Sequence, residues 1–412
     1  MEYGCIGEHL KHSFSPEIHS QIGDYDYIIK EIEPENLEAF IMEKDFLGIN
    51  VTIPYKEKVI PMLDYVEPFA LSIGAVNTVV NRDGKLYGYN TDYSGMKALA
   101  LRIGLKIEGK KVLVIGTGGT SKTATAVIND MGAKEIIYVS NSVVPGAVSY
   151  EEVYAYHTDC EIIFNTSPVG MFPKNDGIPL ELEKFSRLEG VLDVVYNPIR
   201  TRLVSKAHSL GIKSEGGLYM LGSQAVYASQ HFFGESVDNS IFERVYKAVL
   251  SQKDNIVLVG MPSCGKSTVG KRLSALTGKK FVDTDEAIVE KIGMPISRYF
   301  EENGEASFRQ VESEVIAQIS AGNNQIIATG GGAVLKQENV VRLKQNGQIY
   351  FIDRDLSLLC PTGDRPLSSN MEALKKRYEE RYGIYCNACD HKINGNGTVD
   401  EVADIIYKEY LK

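Results

Sequence analysis

Gly260-Met261-Pro262-Ser263-Cys264-Gly265-Lys266-Ser267-Thr268 is the stretch on which the reading of this chain turns. It follows Ile256-Val257-Leu258-Val259, an apolar run of strand length, and fits G-x-x-x-x-G-K-[ST] without a mismatch. In such a loop, successive backbone N–H groups and the N-terminus of the next helix bind phosphate oxygens. Pro262, Ser263, Cys264, Gly265, Lys266, Ser267 and Thr268 are therefore the expected nucleotide-binding residues. Lys266 is expected to reach the terminal phosphates of ATP, and the Ser267 hydroxyl to ligate Mg²⁺. Strand, loop and helix in this order predict an α/β fold.

The loop also divides the chain, leaving a stretch on each side long enough to bury its own core. With 412 residues, 43% hydrophobic and 24% charged, the composition is that of a globular protein of two to three domains. The formal net charge of −10 argues against nucleic acid and an anionic membrane as partners, because either demands a basic face. Small molecules are the expected partners. The first residues lack a basic segment followed by an apolar one, and no run approaches a membrane span, so a cytoplasmic protein is expected. Six scattered cysteines suit a reducing compartment. Cys386-x-x-Cys389, with His391 nearby, lacks the second close pair that a zinc tetrahedron needs. Cys264 reads as a small filler of the phosphate loop.

Toward the N-terminus stands a second glycine turn of different design. Lys110-Lys111-Val112-Leu113-Val114-Ile115 leads into Gly116-Thr117-Gly118-Gly119-Thr120-Ser121, a dinucleotide-binding pattern in which Ser121 replaces the third glycine and is still small enough for close helix packing. Gly116, Gly118, Gly119 and Thr120 are expected to line a pyrophosphate. The next strand, Ile136-Ile137-Tyr138-Val139, ends about 20 residues later, where an acidic residue would favour NAD and an arginine NADP. Ser140-Asn141-Ser142 stand there instead, placing Ser140 and Asn141 at the cofactor ribose and leaving Lys122 as the nearest cation.

Before this turn, short apolar runs alternate with helical stretches, and polar clusters fall at strand ends, where ligands bind in open α/β sheets. They are His12-Ser13-Phe14-Ser15-Pro16, Asn50-Val51-Thr52-Ile53-Pro54-Tyr55-Lys56, Gly74-Ala75-Val76-Asn77-Thr78 and Gly88-Tyr89-Asn90-Thr91-Asp92. Taken singly, each also reads as turn or helix-cap chemistry. Later clusters are Asn165-Thr166-Ser167-Pro168-Val169-Gly170-Met171, Asp193-Val194-Val195-Tyr196-Asn197-Pro198 and Gly216-Gly217-Leu218-Tyr219-Met220-Leu221-Gly222-Ser223-Gln224.

Together and in this order these clusters resemble shikimate dehydrogenase, as far as residue 235. The resemblance implies a substrate domain of residues 1–101 plus 217–250 and a Rossmann domain of residues 102–216. Ser13 and Ser15 would then hold the substrate carboxylate, and Thr52, Asn77 and Asp92 the ring hydroxyls. Tyr196 and Gln224 would reach the substrate, with Val194 and Gly217 on the cofactor side. Lys56 and Asp92 would be the catalytic pair. The chemistry suits them: hydride delivered to a ketone leaves an alkoxide, which a positioned ammonium stabilises and protonates. NADP(H) is the expected cofactor by family. NAD(H) with quinate is the alternative, because the strand-end arginine is missing.

After the phosphate loop come Lys280-Phe281-Val282-Asp283-Thr284-Asp285, Ala306-Ser307-Phe308-Arg309-Gln310-Val311-Glu312, Ile326-Ile327-Ala328-Thr329-Gly330-Gly331-Gly332, Arg365-Pro366-Leu367 and Arg381-x-x-x-Tyr385. This set resembles shikimate kinase over residues 255–412. By that resemblance Asp283 joins Ser267 at Mg²⁺, and Asp285 orients the attacking hydroxyl. Arg309 and Arg381 grip the carboxylate, Gly330, Gly331 and Gly332 line the pocket, and Arg365 on a lid neutralises transition-state charge. A small anionic polyol and a moving phosphoryl group call for these residue types. Arg381 among Lys375, Lys376 and Arg377 also reads as a solvated helix face.

The expectation is a fusion of two consecutive enzymes. 3-Dehydroshikimate is reduced to shikimate, and shikimate is phosphorylated by ATP; the alternative from another class is that one half is a silent ligand-binding module. A helix over Ile241 to Leu250 and the short connection Ser251-Gln252-Lys253-Asp254 join the halves.

Overall fold

The computed structural model describes residues 1–10, 14–359 and 371–411. The chain forms two compact units, Met1–Leu250 and Ser251–Lys412.

The first unit is built on two sheets. In the first, the strands Tyr27–Glu31, Tyr3–Gly7, Gly48–Val51, Thr78–Arg82, Lys85–Tyr89 and Tyr65–Val66 lie side by side, and Thr78–Arg82 runs antiparallel to both of its neighbours. Its central strand Gly48–Val51 is buried throughout, as its unbroken Gly-Ile-Asn-Val run requires. The second sheet is parallel throughout. Its order is Lys213–Glu215, Gly190–Asp193, Ile162–Asn165, Lys111–Ile115, Glu135–Val139 and Ala147–Val148. Numbered along the chain this is 6-5-4-1-2-3, the doubly wound arrangement whose ligand crevice opens where the winding reverses, between Lys111–Ile115 and Ile162–Asn165. The glycine turn opens there.

Two helices tie the lobes together. Thr91–Arg102 and Leu218–Phe233 pack so closely that a Cβ on Gly95 would stand 2.8 Å from the Met220 carbonyl oxygen. At the far end of the second helix the Phe232 ring covers Gly48, where a Cβ would come within 2.3 Å of it. Small residues at these crossings let backbone approach backbone, and the cleft between the lobes is fixed by them.

The second unit is one parallel sheet, in the order Lys280–Asp283, Gln325–Ala328, Asn255–Val259, Gly347–Asp353 and His391–Asn394. The strand before the phosphate loop is central, and Ile256, Val257, Leu258 and Val259 are all fully buried. All five strands therefore end on the side where the loop opens.

One expectation is corrected. Ser251, Gln252 and Lys253 are not a connection but the last residues of the helix Ser240–Lys253, and only Asp254 separates it from the strand that starts at Asn255. Nothing in Ser-Gln-Lys stops a helix; a Gly or Pro would have. Among the described residues no helix is long and apolar enough to cross a membrane.

Two candidate active sites

The cleft of the first unit has a volume of about 1090 Å³ and is lined from both lobes. Four strand-end clusters reach it. Ser15, Thr52, Lys56, Asn77 and Asp92 come from the first lobe, Gly119, Thr120, Val194 and Tyr196 from the second, and Gly217 and Gln224 from the returning segment. Ser13 lies outside the described residues. Lys56 Nζ donates to Asp92 Oδ2 at 2.6 Å. Asp92 stands in the first turn of the helix Thr91–Arg102, whose cap is the Asn90 side chain accepting from the Tyr93 N–H. A helix N-terminus is a favourable place for a carboxylate, and the Lys56 ammonium meets it there.

Asn77 is held from two sides: its Oδ1 accepts from the Thr91 N–H at 2.7 Å and from the Thr78 hydroxyl at 3.1 Å. Gln224 Nε2 is tied to the Leu221 carbonyl, and its Oε1 lies 3.5 Å from the Thr91 hydroxyl. Asn50, which opens its cluster and was given no role, also lines the cleft. It accepts from the half-buried Tyr27 hydroxyl at 2.6 Å and donates to the Asn77 carbonyl and the Thr78 hydroxyl. Its only signal in the sequence was its place two residues before Thr52.

On the cofactor side, Gly116 has φ 97°, and a Cβ on Gly118 or Gly119 would meet nothing within 4 Å. That open space above the start of the helix Gly119–Asp130 fits a pyrophosphate. Ser121 is buried and its hydroxyl donates to the Gly118 carbonyl at 2.6 Å, closing the turn where a third glycine would stand. Ser140 and Asn141 follow the strand Glu135–Val139 directly, and the Ser140 hydroxyl accepts from the Ser142 N–H. Lys122 lines the cleft and also a neighbouring cavity of about 430 Å³ between Thr117, Tyr138 and the Val144–Ala147 segment. Its ammonium pairs with Glu57 at 3.1 Å.

Asp193 fastens the floor under Val194 and Tyr196. Its carboxylate is fully buried and accepts from Asn165 Nδ2 at 2.9 Å, the Val195 N–H at 3.0 Å and the Thr201 hydroxyl at 2.7 Å. Burial outweighs these three donors and pushes its pKa up to about 6.

In the second unit the phosphate loop carries Ser263 at φ 66° and Gly265 at φ 96°, the left-handed residues from which anion-binding nests of backbone N–H groups are built. Lys266 is buried, and its ammonium donates to the Gly260 and Met261 carbonyls, both at 2.9 Å. The Cys264 thiol is buried 3.8 Å from that ammonium. The Ser267 hydroxyl donates to Asp283 Oδ2 at 2.6 Å, so two hard oxygen donors meet at one spot, the set that Mg²⁺ takes beside nucleotide phosphates.

Beside the loop, three consecutive glycines let side chains come close to the backbone. A Cβ on Gly330 would stand 2.6 Å from Asp285 Oδ1, one on Gly331 3.0 Å from Pro262, and one on Gly332 2.2 Å from Arg309 Nη1. Arg381 is buried, and it and the Tyr385 hydroxyl both donate to the Gly331 carbonyl, so the helix Met371–Ala388 turns Arg381 inward rather than to solvent. Glu312, which closes the Arg309 motif and was given no role of its own, is buried and accepts from Arg309 Nη1 at 2.7 Å. Burial raises its pKa and the Arg309 guanidinium opposes the rise. Arg365 lies outside the described residues. Among the described residues no group of three or more His, Cys, Asp or Glu is placed to hold a metal, and the Cys389 thiol donates to the Cys386 carbonyl instead.

A two-lobed doubly wound fold with an ammonium–carboxylate pair facing a glycine turn defines a nucleotide-dependent oxidoreductase, and the second unit a P-loop phosphotransferase. The shikimate dehydrogenase substrate-binding domain family matches residues 5–79, and the shikimate kinase family residues 262–410. An NADP(+) shikimate dehydrogenase of Clostridium perfringens is 36% identical over 263 residues, covering 60% of this chain and 97% of the relative. Among solved structures, a chorismate mutase/shikimate 5-dehydrogenase fusion protein of Clostridium acetobutylicum is 31% identical with a TM-score of 0.57, over 60% of this chain and 96% of that one. The Thermus thermophilus shikimate 5-dehydrogenase in complex with NADP(H) and shikimate is 28% identical with a TM-score of 0.54, over 60% and 99%. The chain belongs to the shikimate dehydrogenase family and carries a shikimate kinase domain after it.

Proposed function

We propose that the chain reduces 3-dehydroshikimate to shikimate with NADPH and phosphorylates shikimate to shikimate 3-phosphate with ATP. The observation that carries the reading is the 2.6 Å Lys56–Asp92 pair in a cleft lined by a dinucleotide turn, in the same chain as a P-loop site with the buried Arg381 and the half-buried Arg309. Bound NADPH supplies the hydride. Lys56 then gives its proton to the alkoxide oxygen, while Asp92 keeps the ammonium oriented and takes a ring hydroxyl. Thr52, Asn77, Gln224 and Tyr196 hold the remaining polar groups of the ring, and Ser15 with Ser13 the carboxylate. Gly116, Gly118, Gly119 and Thr120 carry the pyrophosphate, with Val194 and Gly217 beside the nicotinamide and Ser140 and Asn141 at the ribose. The names of the relatives favour NADP over NAD, and Lys122 is the cation for its extra phosphate.

In the kinase site, Asp285 orients the attacking hydroxyl, and Arg309, Arg381 and the Gly330–Gly332 backbone hold the substrate. Lys266 leaves the loop carbonyls for the terminal phosphates, Ser267 and Asp283 hold Mg²⁺, and Arg365 adds charge at the transition state. A cytoplasmic setting accords with five described cysteines that are all free thiols; recovery of the chain from a membrane or secreted fraction would contradict it.

The test is a coupled assay on the full chain. NADPH absorbance should fall on addition of 3-dehydroshikimate, and ATP should then convert the product. Lys56→Ala should lower reduction about 10²–10⁴-fold, the usual worth of general acid catalysis, and leave phosphorylation of added shikimate near the wild-type rate. Lys266→Ala should do the reverse. A mutant that loses both activities while still folded refutes independent sites, and NADH used in preference to NADPH refutes the cofactor assignment.

A further inference from the structure

Arg309 is held by two carboxylates of unlike character. Glu312 takes Nη1 at 2.7 Å from a buried position, with 2% of its side chain exposed. Glu305 takes the opposite edge, its Oε1 lying 3.1 Å from Nη2 and 3.4 Å from Nε, and it is 54% exposed. The Nε/Nη2 edge is a fork of two parallel N–H donors that a ligand carboxylate grips. Gly332 lies against the same guanidinium, and burial, followed by the charges of Arg381 and Arg309, holds Arg377 below the ordinary arginine range. Immediately before Glu305 the helix Ile296–Ser320 is broken, with Gly304 at φ 77° and ψ 170°. Glu305 therefore begins a new helical segment and is not locked into the preceding turn.

We propose that Glu305 is an internal stand-in for the substrate carboxylate, filling the open edge of Arg309 until substrate displaces it at the break marked by Gly304. The inference rests on Arg309 being a ligand of that carboxylate. Glu312 keeps the guanidinium in place throughout, and Glu305 sets how much of the binding energy is spent on exchange. A plain i,i+4 helix pair would have no such effect, and the same helix supplies one for comparison, Arg298–Glu302 at 2.6 Å.

The experiment measures ATP-dependent phosphorylation by the full chain at saturating ATP and Mg²⁺ with shikimate varied. Glu305→Gln and Glu305→Ala should lower the KM for shikimate about two- to fivefold, the worth of a partly exposed ion pair, with the change in KM and not in kcat. The gain should shrink as salt is raised. Glu302→Gln should leave KM where it was, and Arg309→Ala should raise it. If both Glu305 variants match or exceed the wild-type KM while Arg309→Ala raises it, the stand-in is refuted and the role of Arg309 survives. If Arg309→Ala leaves KM unchanged, the reading beneath it falls.

Discussion

Asp193 touches no substrate group in the proposed reaction, yet its carboxylate joins three segments under the nicotinamide side of the cleft. Its folded pKa of about 6 lies above the ordinary 3.8, so between these values the folded chain holds a proton that the unfolded chain has lost. Stability therefore falls as pH rises through this window and is level above it. His19 and His231 act in the opposite sense, since burial lowers them to about 3 and about 4, and their share is lost as pH falls below 6.5. The wild-type profile mixes these slopes, so a difference measurement is needed. Asp193→Asn removes one of them, and its stability relative to wild type should rise by about 3 kcal/mol between roughly pH 4 and pH 7. Native-state hydrogen exchange in the strands Lys111–Ile115 and Ile162–Asn165 reports it, and a difference that does not change with pH contradicts the assignment. Lys56, Asp92 and Lys266 were legible in the sequence because each sits in a motif with a fixed offset. Tyr27 and Glu305 were not, and Asn50 and Glu312 stood in their motifs without a role, because their meaning lies in which side chain faces them, and spacing does not carry that.

At the scale of elements, the junction Glu215-Gly216-Gly217-Leu218 shows how closely the returning helix is seated. Gly217 has an ordinary helical φ of −71°, so no left-handed turn requires it. It is required by approach: a Cβ there would stand 2.1 Å from the Val194 carbonyl oxygen. That carbonyl has nowhere to go, because the Val194 N–H is bonded to Asn165 O at 3.0 Å and the Gly217 N–H to Val195 O at 2.9 Å. Gly217→Ala should destabilise the first unit by about 1–3 kcal/mol, as overpacking does, and raise the KM for NADPH. A melting temperature equal to wild type with unchanged KM would mean that the junction yields. Strands and glycine turns were readable because their periods and spacings are local. The pairing of Thr78–Arg82 with Gly48–Val51 depends on a partner far along the chain, as does the Gly331 carbonyl that receives Arg381, whose inward turn its register with Tyr385 already suggested.

In the whole molecule two phosphate-binding designs coexist, one on a Rossmann turn and one on a P-loop, and the order of motifs along 412 residues was enough to separate them. Arg365 and Ser13 lie outside the described residues. The 38 glycines fall into unequal kinds: at Gly74, Gly84 or Gly118 a Cβ meets nothing within 4 Å, whereas the triplet Gly330-Gly331-Gly332 is backed by Asp285, Pro262 and Arg309. At Gly332 the clash is with the end of the Arg309 side chain, so a Cβ there is accommodated only if the guanidinium leaves the position in which Glu312 holds it. Fragility to mutation is thus concentrated in a few codons of a long reading frame. A library of all residues at position 332, selected in cells that depend on this chain for shikimate 3-phosphate, should return glycine alone. Survival of alanine there would show that Arg309 can move aside and still serve.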